Sequence, residues 1–522
     1  MKENSRVIKA AGVVGAATLF SRILGYLRDA VIAWYFGAGH STDAFIAAFR
    51  IPNLLRRLFG EGAIGNAFIP VLTDYLAKDG KDEGWRLARS ALFVLSILLA
   101  ALSIFGILLA PLIVKVIAPG FFDSPGKIPL TITLTRIMFP YIFFIGLVAL
   151  CMGILNVFGH FAAPALAPVL LNLAMICSVI FICPYLSNPI MGLAIGVIIG
   201  GVLQLVFQLP FLIRKGLTLR LNGKLFHPGL KKIGGLMPPI IFGGAVYQIN
   251  VLVGGLLGSL LKEGSVSYLY FADRLVQFPL GIFAIAAATA VLPSLSRQAA
   301  VNDIEALKDT FGYAVRLILF LTIPSMVGLL ILREPIVALL FQRGEFSLLA
   351  TRLTAQALLY YAIGLGAFSA VKIVAATFFA LKDTRTPVIM AFVSIVTNIV
   401  LGIILMRPLA HGGLALATSL ASFLNLGLLV VALRSKLGSL GLRRIVRSAY
   451  KTLFSAGFMG VAVWGAVVVF IPPEGGEVMD LLLGLIGSIL TGLICFGTCS
   501  YLLKSPELLS VIAEVKKGLS KK

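Results

Sequence analysis

The run ALFVLSILLAALSIFGILLAPLIV, residues 91–114, decides the fold class. It carries no charged side chain and exceeds the roughly 18 consecutive apolar residues that mark a membrane-spanning helix. A second run of the same kind fills 481–503. Working outward, about fourteen such runs can be counted by contiguous apolarity. They lie near 8–35, 42–74, 90–117, 129–156, 162–182, 189–213, 234–260, 266–295, 311–332, 352–380, 387–406, 412–433, 450–471 and 480–503. Composition agrees: of 522 residues, 59% are hydrophobic and 13% charged, with mean hydropathy +1.01. A soluble domain does not reach those values. The expectation is an all-α polytopic membrane protein.

The N-terminus places Lys2, Arg6 and Lys9 before an apolar stretch, as a signal peptide does. No small-residue cleavage site follows, and Arg22 and Arg28 interrupt the run, so it reads as a first, retained helix. Cys151, Cys177, Cys183, Cys495 and Cys499 lie in or beside apolar runs without metal-ligand spacing and read as small core residues. The histidines at 40, 160, 227 and 411 form no metal motif either. The formal charge of +22 would suit nucleic acid, but its placement argues for a membrane. With the N-terminus in the cytoplasm and spans alternating, 28 of the 44 Lys and Arg fall on the cytoplasmic side and 6 on the other, namely Lys115, Lys127, Lys262, Arg333, Arg343 and Arg407. That bias is the positive-inside signature, with both termini cytoplasmic. Basic loops beside anionic lipid account for it without nucleic acid.

The two halves of the chain align at an offset near 223. Pro70 matches Pro293 and Pro164 matches Pro387, while Pro111, Gly120 and Phe122 match Pro335, Gly344 and Phe346 one residue further on. Six spans per repeat give both halves one orientation, as in transporters built from parallel repeats around a central site. The expected division is 1–222 for an N-lobe, 223–440 for a C-lobe and 441–522 for an extra helix pair and tail.

Charges inside the spans carry the functional signal. Arg22, Arg28 and Asp29 lie in the first, Asp43, Arg50, Arg56, Arg57 and Glu61 in the second, Asp273 and Arg274 in the eighth, and Lys372 in the tenth. An arginine at the bilayer centre costs roughly 2.5–3.5 kcal/mol, so four facing lipid would cost on the order of 10–14 kcal/mol. They must line a polar cavity, pair with acids or snorkel. Asp43, Arg136, Arg316 and Arg352 sit near span ends and suit an interfacial place. Arg28 can pair with Asp29 or Asp43, and Arg274 with Asp273. Arg50, Asn53 and Arg57 share one helical face. Arg22 and Arg28 are separated by about 120° on an ideal helix and converge only if it bends, for which Gly25 is the natural place. At the repeat offset Arg22, Arg28, Arg56 and Arg57 meet Ala245, Val251, Pro279 and Leu280, so the cationic cluster belongs chiefly to the first half. Guanidinium forks suit phosphate and carboxylate oxygens, and several together suit a multiply charged group such as a pyrophosphate. The apolar last two spans read equally as a groove for a lipid tail or as packing helices. If Arg28 lines a cavity, Arg28→Ala leaves folding intact.

The stretches SRILGYLRDAVIAWYFGAGHSTDAFIAAFRIPNLLRRLFGEGAIGNAFIPVL (21–72) and YFADRLVQFPLGIFAIAAATAVLPSLS (270–296) resemble the bacterial lipid II flippase family, MurJ or MviN, of the multidrug/oligosaccharidyl-lipid/polysaccharide (MOP) exporter superfamily. The resemblance runs over essentially the whole chain. It implies a monomeric transporter of the bacterial cytoplasmic membrane that moves lipid II, an undecaprenyl-pyrophosphate-linked disaccharide-pentapeptide, to the outer leaflet by alternating access. Lipid II, membrane lipids and other cell-wall synthesis proteins are the implied partners. No cofactor is implied, and sodium, protons and membrane potential all stay open as the drive. The candidate substrate-binding set is Arg22, Arg28, Asp29, Asp43, Arg56, Arg57, Arg274 and Lys372. Gln277 stands where some relatives carry Glu, which puts an acid's role there in doubt. Asn250, Thr397 and Asn398 are polar positions that suit an ion site. The rival readings are an exporter of another polyprenyl-linked glycan, a drug–cation antiporter, a polyprenyl-phosphate glycosyltransferase and a non-transporting scaffold. A cation exporter would line its site with acids, and the glycosyltransferase would need a catalytic or metal-binding carboxylate pair at the membrane face. The clustered acids Asp79, Asp82 and Glu83 sit in a solvated loop instead.

Overall fold

The computed structural model describes residues 2–58, 64–218, 226–471 and 478–519. Among these the regular structure is helical throughout, with no strand. Lipid permits this because a helix satisfies its own backbone N–H and C=O groups. The chain forms two compact units, Met1–Ser267 and Tyr268–Lys522.

The first unit holds α1 (Lys2–Phe36), α2 (His40–Leu55), α3 (Ile64–Lys78), α4 (Gly80–Leu108), α5 (Ala110–Ile117), α6 (Lys127–Met138), α7 (Tyr141–Val157), α8 (Ala162–Phe181), α9 (Ile190–Lys215) and α10 (Pro228–Ser259). Several expected runs are therefore two helices. The 90–117 run breaks at Leu109, with Pro111 in the first turn of α5, and the 129–156 run breaks before Tyr141 at Pro140. Proline lacks the N–H that would continue the ladder, so helices restart there. The core of this unit joins Phe68 and Leu72 of α3, Trp85 and Leu87 of α4, Leu150 and Ile154 of α7, Leu212 of α9 and Ile233 of α10. By packing, α10 belongs with this unit. The division at 222/223 follows the sequence repeat, and the packing division at 267/268 is a different cut of the same chain.

The second unit takes in most of α11 (Ser265–Pro279), a π-helical stretch (Leu280–Ile285), α12 (Ala286–Ala300), α13 (Ile304–Phe341), α14 (Leu348–Ile363), α15 (Leu365–Ala380), α16 (Arg385–Leu437), α17 (Leu442–Phe470), α18 (Val478–Leu502) and α19 (Pro506–Leu519). The 53 residues of α16 would extend about 80 Å at 1.5 Å per residue, far more than one crossing needs. Ala410, at φ 49° and ψ −132°, breaks the helix between the expected runs 387–406 and 412–433. Phe320 and Ile323 of α13 pack with Met459 and Val463 of α17 and with Leu485 and Phe496 of α18. Glycine lets α17 and α18 close on each other: a Cβ at Gly492 would lie 2.8 Å from Val463 and one at Gly484 2.4 Å from the Phe470 carbonyl oxygen. Small residues at such contacts are how helices pack where lipid supplies no hydrophobic drive.

Among the described residues nine helices are long and apolar enough to cross a membrane, or ten if the bent pair α14–α15 is one span. The runs 8–35 and 42–74 fall outside that set while being helical where described, and among the described residues α10 contributes the shorter apolar helix Gln248–Ser259. Fourteen is the count of apolar runs in the sequence; nine to ten is what length and apolarity select in the described structure. One irregularity recurs at the repeat offset. Residues 56–58 form a π-helical turn, and the π-helical stretch Leu280–Ile285 begins at the matching place in the second half.

Candidate functional site

Six of the eight candidate residues lie in the first unit, and the helices there place them in three groups. The first is centred on Arg28, whose side chain is 7% exposed beside an Asp29 at 1%. Arg28 Nε and Nη2 both donate to Asp29 Oδ1, at 3.0 and 2.7 Å. Its Nη1 donates to Asn172 Oδ1 on α8 at 3.1 Å, across 144 residues of sequence. Asn172 Nδ2 in turn donates to the Ser21 carbonyl at 3.1 Å, so α8 grips α1 both at Arg28 and two turns before it. A charge this buried survives in a protein interior only when paired and hydrogen-bonded. The helix α1 runs unbroken through Gly25, so Arg22 and Arg28 stay on different faces: Arg28 is buried and Arg22 half-buried.

The second group is centred on Asp43, which is 1% exposed. Its Oδ2 accepts from Lys127 Nζ at 2.9 Å and from the Gly264 amide at 2.8 Å. Its Oδ1 accepts from the Ser267 amide at 2.9 Å and the Ser267 hydroxyl at 2.7 Å. Gly264, at φ 88°, adopts the left-handed conformation that favours glycine, which turns its amide toward the carboxylate. Lys127 is 2% exposed and also lies 4.3 Å from the Phe121 ring centroid. Sequence reading left Lys127 among the basic residues of an outer loop. The structure makes it the buried counter-ion of Asp43.

The third group is Arg56 and Arg57, both half-buried in the π-helical turn 56–58. Arg56 Nε donates to Asn53 Oδ1 at 3.1 Å. Pro52, one turn earlier, cannot donate to the carbonyl of residue 48, which loosens the ladder where the turn widens. Single π turns of this kind concentrate at functional sites. Glu61, which the sequence also placed in this span, lies outside the described residues.

In the second unit Arg274 of α11 is half-buried, with Nη2 donating to the Tyr270 hydroxyl at 3.1 Å and the guanidinium 5.2 Å from the Tyr270 ring centroid. Its neighbour Asp273 is exposed and accepts from Gln277 Nε2 at 3.4 Å. Lys372 of α15 is exposed.

The groups divide by chemistry. Asp29 is occupied by the Arg28 guanidinium, which ties α1 to α8, and Asp43 by Lys127 and the Gly264 and Ser267 donors. Arg22, Arg56 and Arg57 keep partial exposure, and guanidinium forks in such settings suit a phosphate or carboxylate. The residues that sequence reading missed are Asn172, Lys127 and Ser267. Asn172 left one signal, a lone amide in the apolar stretch PVLLNLAM (168–175).

The family model described as lipid II flippase MurJ matches residues 32–484. A probable lipid II flippase MurJ of Vibrio cholerae serotype O1 is 42% identical over 433 residues, 82% of each chain. The lipid II flippase MurJ of Burkholderia cenocepacia is 38% identical over 434 residues, 82% of this chain and 84% of the relative. Among solved structures, a lipid II flippase MurJ in an inward closed conformation matches at TM-score 0.78 and 28% identity, over 94% of this chain and 99% of that one. An inward-facing multidrug transporter of the MATE family, in the MOP superfamily, matches at TM-score 0.69 and 16% identity, over 80% and 95%, which is likeness of fold alone.

Proposed function

The chain belongs to the lipid II flippase MurJ family, and from that premise we propose that it carries lipid II from the inner to the outer leaflet of the bacterial cytoplasmic membrane, supplying peptidoglycan synthesis. It is a multi-pass membrane transporter with the MOP-superfamily fold, and not an enzyme. The observation that carries the reading is the extent of the match, which runs from α1 into α18 without confinement to one motif.

The mechanism we propose follows from the chemistry of the cations. In the first unit Arg22, Arg56 and Arg57 contact the pyrophosphate; in the second, Arg274 and Lys372 are candidate anion contacts of the same chemistry. Arg28, Asp29 and Asp43 act by position: Arg28, held by Asp29, fixes α1 to α8, and Asp43 fixes the start of α2 to Gly264 and Ser267. Holding a diphosphate takes no covalent step, so the protein supplies charge and a change of access. The drive is an ion gradient or the membrane potential, no cofactor takes part, the termini are cytoplasmic, and the working unit is a monomer. Support for the anion comes from three half-buried arginines in one unit of an apolar protein, since arginine is rare in lipid unless it has a polar task.

Outer-leaflet exposure of lipid II in cells depleted of their own flippase tests the reading, with wild type beside Arg56→Ala at matched membrane levels. Exposure restored by wild type and lost in Arg56→Ala supports both substrate and site. Failure of well-inserted wild type to restore it would overturn the substrate assignment.

A further inference from the structure

A glycine pair near the C-terminal end of α10 and an arginine of α2 that the groups above leave out point to one device. Gly254 and Gly255 lie side by side in the helix, where each weakens it relative to alanine. Their surroundings differ. Around Gly254 a Cβ would meet nothing within 4 Å. At the buried Gly255 it would fall 0.8 Å from Arg50 Nη1, 2.0 Å from Cζ and 2.8 Å from Nη2. The Arg50 guanidinium therefore occupies the volume that any other residue at 255 would fill with its side chain. Because the intruding group is the far end of a long side chain, a methyl at 255 would displace the guanidinium from this volume.

We propose that Gly255 is a seat for Arg50, and that the seated Arg50 is a positioning residue for the cationic turn that follows it. Arg50 sits two residues before Pro52, and Asn53 and Arg56 come after it on the same helix. The proline leaves the ladder without one bond, and the π turn at 56–58 widens it further, so the backbone at Arg56 and Arg57 is the compliant part of α2. A helix end that is compliant needs a fixed point beside it. Seating Arg50 against α10 supplies one on the stiff side of Pro52, and Asn53 then carries the register to Arg56 through its 3.1 Å bond. The face shared by Arg50, Asn53 and Arg57 makes this geometrically consistent, since all three follow helical spacing. The inference deepens the reading of Arg56 and Arg57 as pyrophosphate contacts and rests on it for its consequence, whereas the seat itself does not.

The test uses the full chain in nanodiscs with four substitutions: Gly255→Ala, Arg50→Ala, the two combined, and Gly254→Ala as a control one residue away. Two quantities are read: equilibrium binding of lipid II, and the electron-spin distance between labels at Leu54 on α2 and Ile249 on α10. Gly255→Ala and Arg50→Ala should each weaken lipid II binding by about tenfold, and the combined variant by no more than either alone. Both should broaden the distance distribution to the same extent, and Gly254→Ala should leave both quantities at wild-type values. Arg50→Lys should recover only part of the binding, because an ammonium lacks the flat fork that fills the seat. A Gly255→Ala protein that binds lipid II and holds the distance like wild type would overturn the proposal, as would additive losses in the combined variant. Wild type that binds no lipid II, with the distance still broadened in both single variants, would uphold the seat and sink the substrate reading.

Discussion

Asp43→Asn tests the packing logic of the first unit most sharply. The substitution keeps size and shape and removes one negative charge from a site that is 1% exposed. Its consequence falls first on Lys127, whose ammonium is 2% exposed and 2.9 Å from the lost charge. Orphaning one member of a buried ion pair costs about 3–5 kcal/mol. The amide also has one oxygen where the carboxylate had two. Of the four donors (Lys127, the Gly264 amide, and the Ser267 amide and hydroxyl), two then face an NH2 group. Each buried donor left unsatisfied costs about 1–3 kcal/mol, and because these losses overlap with the orphaned charge they do not simply add. The expected destabilisation is therefore about 3–5 kcal/mol, set mainly by the ammonium. Equilibrium unfolding of the reconstituted protein measures it, with Lys127→Met and the double variant completing a cycle. The double variant should be more stable than the sum of the singles predicts, because it removes the orphan. Asp74→Asn serves as a benchmark, since its pair with Lys78 at 2.7 Å is 44% and 71% exposed and should matter little. If Asp43→Asn costs no more than Asp74→Asn, the buried network does not hold the unit together and the argument fails.

Three further outcomes follow from the same geometry. Arg28→Ala should destabilise the protein by about 3–5 kcal/mol, because Asp29 is left buried without its fork, and Arg28→Ala with Asp29→Ala should recover much of it on the same unfolding assay. This replaces the expectation that Arg28→Ala leaves folding intact, which assumed a cavity-lining side chain with no buried acid beside it. The hydrogen bond from His227 Nε2, 2.9 Å away, holds the Glu83 carboxyl below its usual range, so Glu83 stabilises the fold fully above pH 4.5 and loses that contribution as pH falls through its lowered value. Glu83→Gln should thus melt below wild type at pH 7, with the gap closing toward pH 3. Asp383 caps the start of α16, accepting from the Arg385 and Thr386 amides at 3.1 and 3.0 Å and pairing with Lys436, and these contacts depress its carboxyl. Asp383→Ala should cost about 1 kcal/mol or more for the lost cap, read as a lower unfolding midpoint, and Lys436→Ala should cost less.

What sequence made legible follows from which signals are local. A spanning helix needs only a contiguous apolar run, so 91–114 and 481–503 announce themselves, and the expected runs are helical where described apart from short breaks such as those at Leu109 and Pro140. Charges inside such runs are costly, which is why Arg22, Arg28, Asp29, Arg56, Arg57 and Arg274 stood out before any coordinates. The proline matches pointed to a repeat, and the π-helical turns at matching places give it a structural counterpart. Where two helices share one apolar run, hydropathy is blind to the break: it joined α4 to α5 and α6 to α7. Partners were the least legible of all. Lys127 is 84 residues from Asp43 and Asn172 is 144 from Arg28, and nothing local at either end announces the other. Lys127 looked like an ordinary loop lysine because the acid it pairs with lies on a different helix, far away in sequence. The seat at Gly255 is the extreme case, since a glycine shows its purpose only through what fills the space beside it.

The measurement that bears most directly on the central claim is lipid II exposure on the outer leaflet of flippase-depleted cells supplied with this chain, comparing at equal membrane levels wild type, Arg56→Ala and, as a control, Arg443→Ala at an exposed arginine in the first turn of α17. The account predicts that wild type and Arg443→Ala restore exposure and that Arg56→Ala does not. Restoration by Arg56→Ala, or none by a well-inserted wild type, would contradict it.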